Sequence, residues 1–455
     1  MFFCRFAERG GPATRESVSI MKRLAIISSY NESCGNATYT HALQKQFSKY
    51  YEVEVLPLDL FVLQSPGKLF VEAGDRHIHD ICKKLKTFDF VNIQFEAGLF
   101  GIQPAAIVRR VKALIDASKN LVFTFHRIDL PVNAPWLQYL RAAKRLDPRM
   151  FLLTRKKILD ADIYSQLLHY LRKQSRQRNI WLLVHTKRES RILRDVFGFR
   201  KVKDFPITFL TAEERARYVA AADRAAFLKK LSLPPDAKTL SAFGFISAYK
   251  GLETMIRTLR ELPANYRLLI FGSQHPQSIK LNEEIDPYLE SLLEEIDLGP
   301  HKPDLTNNFF RDKEELLKLT SLMLKKRLQR EQGCIRDRVI FFGNLPDDDF
   351  INAMVCSDAI VLPYVETGQS MSGVASLALE TKARSFFSNN YSFRELTRYY
   401  GRSFHTFDIG NYKELAWKIE NAARRFDAEL DDRFQVYNIE NNVAVHRECW
   451  EGSGE

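Results

Sequence analysis

Short apolar runs alternate with amphipathic stretches along the whole chain. In the first half the runs lack the polar alternation of a half-exposed strand, which is typical of parallel strands covered on both faces. These runs lie at residues 24–28, 53–58, 90–95, 121–126 and 180–185. Helical spacing marks the stretches between them, at residues 37–47, 77–85, 105–117 and 157–177. The first half therefore predicts a parallel sheet with helices on both faces.

The second half repeats this pattern after a transition at residues 203–238. Strands are predicted at residues 240–245, 267–271, 339–342, 359–363 and 385–388. Helices are predicted at residues 252–262, 348–356, 373–381, 393–399 and 412–426. We therefore predict two doubly wound α/β domains that face a cleft. The predicted divisions are a loose extension at 1–20, domains at 21–205 and 206–410 with a helical insertion at 273–337, and a C-terminal helix and tail at 411–455.

The composition favours a reduced, cytoplasmic protein. The chain has 455 residues, and 45% of them are hydrophobic, which is enough for two large cores. Six cysteines lie far apart, without a metal-binding spacing, at positions 4, 34, 82, 334, 356 and 449. No apolar run is long enough to span a membrane, and residues 1–20 lack the apolar stretch of a secretory signal.

The net charge of +11 is concentrated in one segment. Residues 141–178 contain eleven Arg and Lys against three Asp, a net of +8, together with aromatic and aliphatic residues. One interpretation is a solvated helical face. A nucleic-acid surface would need the same charge, but no nucleic-acid-binding motif accompanies it, so no nucleic-acid partner is predicted. The third interpretation is an anionic acceptor or an anionic membrane surface, with the protein peripheral on its inner face.

Two strand-turn-helix junctions carry the candidate chemistry of the second half. At the first, an apolar strand ends at Phe245, and Lys250 precedes the next helix. The second follows the strand at 359–363 and includes Glu366 and Gly368, with a helix from Gly373. Such junctions place positive charge and free backbone N–H groups at one point, which suits a phosphate-bearing ligand. Together they predict a nucleotide-type pocket.

Polar residues also follow the strands of the first half. Gly35 lies in the loop after the first strand and would let a ligand approach the backbone. Glu96 follows the third strand, and His126 and Asp129 follow the fourth. His126 could bind a sugar hydroxyl or a phosphate, or it could simply be satisfied by the backbone. The acidic run at 347–349 could bind a metal, although capping of the next helix explains it better.

Seven sequence segments, in the same order, resemble those of the retaining GT-B glycosyltransferases of family 4, also called glycosyl transferases group 1. They lie at residues 34–40, 92–101, 124–126, 184–186, 243–251, 268–272 and 361–370. The resemblance implies two Rossmann-like domains with a C-terminal helix that packs back. It also implies a nucleotide-sugar donor, a UDP-, GDP- or ADP-sugar, held mainly by the C-terminal domain. The acceptor, a glycan or a lipid-linked glycan, would lie on the N-terminal domain, and no metal or other cofactor would be needed.

The resemblance also implies roles for individual residues. Lys250 would neutralise the donor diphosphate, His126 would contact the transferred sugar, and Glu366 would bind sugar hydroxyls; these three form the predicted catalytic set. Glu96 and Asp129 would lie on the acceptor side. The predicted donor-binding residues are Gly35, Asn36, Gly244, Phe245, Lys250, Gly368, Gln369, Ser370, Ser372, Gly373 and Glu380.

The chain departs from the family pattern at two points. The family often has an arginine five residues before the lysine, where this chain has Phe245. The family's two glutamates, eight residues apart, fall on Gln369 and Leu377 here. Glu380, three residues later, is the remaining candidate for binding the ribose.

These residues predict an enzyme that transfers a sugar from a nucleotide-sugar donor to a glycan or glycolipid acceptor in surface polysaccharide biosynthesis. Retaining transfer needs no protein nucleophile if positive charge and backbone dipoles stabilise the leaving phosphate. Two alternatives stay open. One is a sugar-nucleotide epimerase or hydrolase of the same fold, and the other is a non-catalytic binding protein derived from it.

Overall fold

The computed structural model describes residues 21–32, 34–129, 144, 148–274, 286–297, 335–368, 370–422 and 427–452. The first of its two sheets has six parallel strands in the order β2-β1-β3-β4-β5-β6. These strands are β1 Arg23–Ser28, β2 Glu52–Pro57, β3 Phe90–Phe95, β4 Asn120–Phe125, β5 Asn179–Val184 and β6 Val202–Asp204. The predicted extension at 1–20, most of the insertion at 273–337 and Gln369 lie outside the described residues.

The second sheet also has six parallel strands, in the order β12-β11-β10-β7-β8-β9. Its strands are β7 Lys238–Phe243, β8 Tyr266–Phe271, β9 Val339–Phe341, β10 Ala359–Leu362, β11 Ser385–Ser388 and β12 His405–Phe407. Two parallel sheets with helices confirm the predicted fold class. Each predicted strand is present within two residues of its predicted bounds, whereas the three-residue strands β6 and β12 were not predicted.

Helices connect the strands and cover both sheets. In the N-terminal half they are α1 Gly35–Phe47, α2 Leu60–Gln64, α3 Lys68–Leu85, α4 Pro104–Ala117, α5 Pro148–Gln174 and α6 Lys187–Arg191. The transition contains α7 Ala212–Ala220 and α8 Arg224–Lys230. The C-terminal half has α9 Leu252–Glu261, α10 Pro287–Asp297, α11 Asp347–Cys356, α12 Gly373–Glu380, α13 Tyr391–Tyr400, α14 Tyr412–Asn421, α15 Asp427–Val436 and α16 Ile439–Glu451. Within the described part of the chain, no helix has both the length and the apolar character that a membrane span requires.

The apolar runs form strands because both of their faces are buried. In β1, Leu24 and Ile26 face one core, while Ala25 and Ile27 face another on the opposite side of the sheet. Strand β3 is buried at all six positions. Burying each such Leu or Ile contributes roughly 1.5–3 kcal/mol, so the continuous apolar pattern stabilises a sheet covered on both sides.

The C-terminal helix α16 packs back onto the first sheet. The indole of Trp450 stacks on Phe90 with ring centroids 5.4 Å apart. The Asn442 side chain donates hydrogen bonds to the Tyr39 hydroxyl at 2.9 Å and to Thr208 Oγ1 at 3.1 Å. One core therefore runs continuously from a face of the first sheet to the second half of the chain.

Glu380, at the end of α12, holds the linker through which the chain passes from one sheet to the other. Its carboxylate accepts the N–H of Phe209 at 3.0 Å and that of Leu210 at 3.3 Å. Its main-chain carbonyl accepts a hydrogen bond from Arg215 Nε at 2.7 Å. The residue has no exposed surface. The prediction that Glu380 binds a ribose is therefore wrong, because the linker encloses its carboxylate.

Replacing Glu380 by Gln should remove part of the pH dependence of stability. Burial raises the pKa of Glu380 well above its usual value of 4.5. The folded chain therefore keeps a proton that the unfolded chain releases, and this contribution to stability is full below about pH 4.5 and is lost as the pH rises. We expect the difference in unfolding free energy between E380Q and the wild type to grow in favour of E380Q from about pH 5 to pH 8. Urea denaturation measures this, and a difference that does not change with pH would contradict it.

Candidate active site

The site residues lie where each sheet reverses its strand order. The first sheet reverses at β1 and β3, and the second at β7 and β10. In an open parallel sheet the loops diverge at this point and leave a crevice at the carboxyl ends of the strands. Gly35 and Glu96 follow β1 and β3, while Lys250 and Glu366 follow β7 and β10. The topology therefore brings together the loops that the sequence analysis singled out.

Gly244 brings the two junctions of the second sheet into contact. The residue has a φ of +93°, which favours glycine. A Cβ at this position would lie 3.4 Å from Lys250 Nζ and 3.7 Å from Val374 Cγ2, at the start of α12. Phe245 and Tyr364 line the same recess. Gly244, Phe245 and Lys250 are thus together, as the sequence predicted.

Gly251 explains how Lys250 is presented. A short 3₁₀ turn at Ala248–Lys250 ends at Gly251, which has a φ of +63° and precedes α9. A Cβ here would collide with the carbonyl oxygen of Pro363 at the end of β10. Only glycine allows the turn after β7 to pack this closely against β10, and this packing carries Lys250 into the recess.

Lys250 is a buried cation surrounded by aromatic rings. Its Nζ donates a hydrogen bond to the Tyr364 hydroxyl and lies 4.0 Å from the centroid of that ring. The ring of Tyr249 is 5.0 Å away. Burial lowers the pKa of Lys250. A desolvated ammonium group interacts strongly with an anion, because little water screens the attraction.

The start of α12 adjoins this recess through Val374. Ser372 caps the helix, with its Oγ accepting the N–H of Ala375 at 3.4 Å. Gly373 packs against the linker, where a Cβ would lie 3.0 Å from Phe209 Cζ. The first amides of a helix have no partner within it and carry its positive dipole end, which favours anionic groups.

Glu366 is exposed and organises the loop before α12. Its Oε1 accepts the N–H of Gly368 at 2.9 Å, and its Oε2 accepts that of Tyr391 at 2.7 Å. Gly368 has a φ of +72°, so glycine suits this tight turn. Because Glu366 is solvent-exposed, a ligand could still approach its carboxylate.

His126 is held as a neutral ring on the opposite side. Asn92 Nδ2 donates to Thr124 Oγ1, and the Gln94 amide donates to Asn92 Oδ1, so Gln94 presents its oxygen to His126. His126 Nε2–H therefore donates to Gln94 Oε1 at 2.7 Å. Burial, with a smaller effect of His185, lowers the pKa of His126 well below 6.5. The ring is thus neutral at pH 7, and Nδ1 is its acceptor.

Asn36 and Glu96 join the first two loops of the N-terminal side. Asn36 Nδ2 donates to Glu96 Oε2 at 2.6 Å. A Cβ at Gly35 would meet nothing within 4 Å, so the first turn of α1 faces open space. Burial raises the pKa of Tyr249 in the other half of the chain, and Glu96 adds to this rise. The hydrogen bond from Asn36 thus joins the start of α1, after β1, to the loop after β3.

Arg127 was not among the predicted site residues. Its Nε donates to Asp129 Oδ1 at 2.7 Å. A Cβ at Gly368 would lie 4.0 Å from Arg127 Nη2, so the guanidinium faces the donor-side loop across the cleft. The available signal was its position, since it directly follows His126 at the end of β4. Asp129, in the same loop, is paired with this arginine.

Glu189, in the first turn of α6, was also missed. The Ser370 hydroxyl donates to its Oε1, which also accepts the N–H of Ile128 at 3.2 Å. The Thr186 hydroxyl donates to Oε2 at 2.8 Å. Burial raises the pKa of Glu189 to about 7, although these donors lower it. Its partners Ser370 and Ile128 belong to different halves of the chain.

The acidic run at 347–349 begins α11 and has partners of its own. The Tyr218 hydroxyl donates to Asp348, and Lys230 pairs with Asp349 at 2.9 Å. Among the described residues, no group of three or more His, Cys, Asp or Glu side chains could hold a metal ion. The run does not cap the helix, because Pro346 holds the N-cap position and no side chain caps it; the three carboxylates lie in the first turn, where the helix dipole favours acidic groups.

No protein-family model and no curated protein matches this chain. Its structure is nevertheless similar to several solved structures. HepE from Anabaena in complex with UDP has a TM-score of 0.56 at 13% identity, over 94% of this chain and 99% of that chain. Sucrose-phosphate synthase from Thermosynechococcus elongatus has a TM-score of 0.57 at 14% identity, over 94% of this chain and 98% of that chain. The α,α-trehalose 6-phosphate synthase from Burkholderia multivorans has a TM-score of 0.57 at 11% identity, over 95% of this chain and 98% of that chain. At these identities the likeness establishes the fold, and the chain has the GT-B fold.

Proposed function

We propose that this protein is a retaining glycosyltransferase, similar to those of family 4. It would move a sugar from a nucleotide-sugar donor to a glycan or glycolipid acceptor in surface polysaccharide biosynthesis. The observation that carries the proposal is the buried Lys250, packed beside Gly244 and the start of α12 at the point where the second sheet reverses its strand order. Solved structures of the same fold, such as HepE, hold UDP or UDP-glucose.

The donor would bind mainly to the C-terminal side. Its diphosphate would meet Lys250 and the backbone amides at Ser372 and Gly373, beside Gly244 and Phe245. Glu366 would accept hydrogen bonds from hydroxyls of the sugar. Arg127 adds a second positive charge from the opposite side, which reinforces the field on a dianionic diphosphate.

The acceptor would enter on the N-terminal side, near Glu96 and Asp129. The neutral His126 is suited to hydrogen bonding with the transferred sugar rather than to charge compensation. The departing phosphate would leave from the face that the acceptor attacks. The enzyme then contributes positioning and stabilisation of the leaving charge, and it needs neither a nucleophile nor a metal.

A donor screen tests this function. We expect nucleoside diphosphate release from a UDP-, GDP- or ADP-sugar when a glycan acceptor is present, and we expect release to persist in excess EDTA. Lys250 and backbone dipoles would do the work of a divalent ion. Sugar release without any acceptor would favour the epimerase or hydrolase, and failure to bind any donor in calorimetry would favour the non-catalytic binding protein. Abolition by EDTA with rescue by Mn²⁺ would contradict the metal-free mechanism.

Lys250→Ala should lower turnover by about a hundredfold or more. Removing one preorganised donor from a developing oxyanion typically costs roughly 3 kcal/mol. The measurement is kcat with the donor found in the screen, with thermal unfolding as a check on the fold. Lys250→Met preserves more of the buried volume, and Lys230→Ala removes an equal charge from an exposed ion pair elsewhere. The proposed role of Lys250 fails if a folded Lys250 variant retains near-normal turnover or if K230A is impaired equally.

We further propose a cytoplasmic location, peripheral on the inner face of a membrane, with the basic segment 141–178 as the contact. Only part of this segment lies within the described residues. Each basic residue near an anionic surface contributes about 1 kcal/mol. We expect binding to liposomes with anionic lipid that weakens as salt rises. Replacing Arg155, Lys156 and Lys157 by Glu should reduce this binding, whereas the same replacement of Lys83, Lys84 and Lys86 should not. A protein that ignores such liposomes at low salt would favour the solvated-face interpretation.

A further inference from the structure

A single oxygen of Glu189 joins loops from the two halves of the cleft. Oε1 accepts the Ser370 hydroxyl from the loop after β10 and the N–H of Ile128 from the loop after β4. The side chain of Thr186 fixes the other oxygen, and the Glu189 N–H donates back to Thr186 Oγ1 at 3.1 Å. Glu189 and Ser370 are both buried. Solvent therefore does not compete for this contact.

Each of the two joined loops carries residues of the proposed site. Ile128 lies between Arg127 and Asp129 and two positions after His126. Ser370 lies between the Gly368 turn and Ser372, the cap of α12. The Ser370 carbonyl also accepts a hydrogen bond from Ser392 in α13 at 3.2 Å. A shift of either loop would move groups that face the donor.

We propose that Glu189 is a positioning residue that assembles the donor site by fastening the His126–Asp129 loop to the Ser370 loop across the cleft. The inference rests on the proposed function and deepens it. Glu189 touches no reacting atom, and it acts through Ile128 and Ser370. With the fastening in place, Arg127 faces Gly368 in the loop after β10.

The two carboxyl oxygens of Glu189 suit this role because both accept hydrogen bonds here. All three groups around Glu189 are donors, namely two hydroxyls and one backbone amide. Removing Glu189 would leave the Ile128 N–H and the Ser370 hydroxyl buried without an acceptor, which is costly away from water. The loops would then separate and let water in, so the competent arrangement would become a minor state.

The chain offers a matched control at the same domain contact. The N–H of Arg188, the residue before Glu189, donates to Glu395 Oε2 in α13 at 3.2 Å. The Arg188 guanidinium lies 4.2 Å from the Tyr391 ring centroid. Glu395 therefore joins α6 to α13 without touching either site loop. Glu395→Ala removes this contact between the halves while leaving the fastening in place.

Hydrogen exchange tests the fastening without reference to activity. In the full-length protein without ligand, E189A should exchange faster at the amides of 126–129 and of 370–373, by tenfold or more, while E395A should match the wild type there. Glu189→Gln keeps an acceptor oxygen and should retain most of the protection. Unchanged exchange at both loops in E189A would overturn the proposal. If E189A does not fold, Ser370→Ala replaces it, with faster exchange expected at 126–129 as well as at its own loop, and unchanged exchange at 126–129 would overturn the proposal.

Kinetics then separates positioning from direct donor contact. With UDP-glucose, or the donor that the screen identifies, S370A and E189A should each raise the donor KM about tenfold with a smaller change in kcat. The reason is that a less populated competent state reduces apparent affinity in proportion. The double variant should be no worse than E189A, because both remove one interaction. Additive effects would show that Ser370 contacts the donor by itself and would overturn the proposal.

The two experiments fail separately. If no nucleotide sugar is turned over but the two loops lose protection together in E189A, the proposed function is wrong and the proposed role of Glu189 is supported. If donors are turned over normally by E189A and exchange is unaltered, the fastening falls and the proposed function stands.

Discussion

Parallel strands place all their carboxyl ends at one edge of a sheet, and this constraint shapes the whole molecule. Each sheet reverses its strand order at one point, between β1 and β3 in the first and between β7 and β10 in the second. The loops on either side of the reversal cannot close over each other, so a crevice is unavoidable. Close packing then places a charged side chain at this point, because the contact of Gly251 with Pro363 positions Lys250 there. The position of the candidate site therefore depends on the strand order of the two sheets and not only on the sequence motifs.

The buried polar groups give this crevice its electrostatic character. Lys250 and His126 are both desolvated, and burial lowers the pKa of each. The consequences differ, because a buried ammonium with aromatic neighbours strongly favours an incoming anion, whereas a buried imidazole becomes a neutral hydrogen-bonding group. One side of the cleft is thereby suited to a phosphate and the other to sugar hydroxyls. This division does not depend on the glutamate pair of the family pattern, of which Gln369 and Leu377 occupy the expected positions.

Local signals in the sequence predicted the sheets and the Lys250 junction. Apolar runs located ten of the strands, but β6 and β12 have three residues each, too few for a periodic pattern to be recognised. Helices α7 and α8 lie between Pro206 and Pro234, within the segment interpreted as a transition. Arg127 was missed although it directly follows His126, whereas Glu189 could not be predicted because tertiary packing sets its partner Ser370, which is 181 residues away. Glu380 was misassigned for the same reason, since helical spacing alone does not show that its carboxylate turns to the linker.

Glu380 and Glu189 are both buried carboxylates at the junction of the two halves, yet their partners give them different consequences. Glu380 accepts backbone amides of the linker itself, so these bonds move with the chain that joins the domains. Glu189 receives a single hydroxyl, that of Ser370, from the opposite half. Breaking the contact at Glu189 would cost one hydrogen bond, about 0.5–3 kcal/mol, whereas the bonds at Glu380 stay with the linker. Under the proposed function, a cleft that admits a donor and releases a nucleotide would need a firm linker and a contact weak enough to break, and these two carboxyl groups would supply one each.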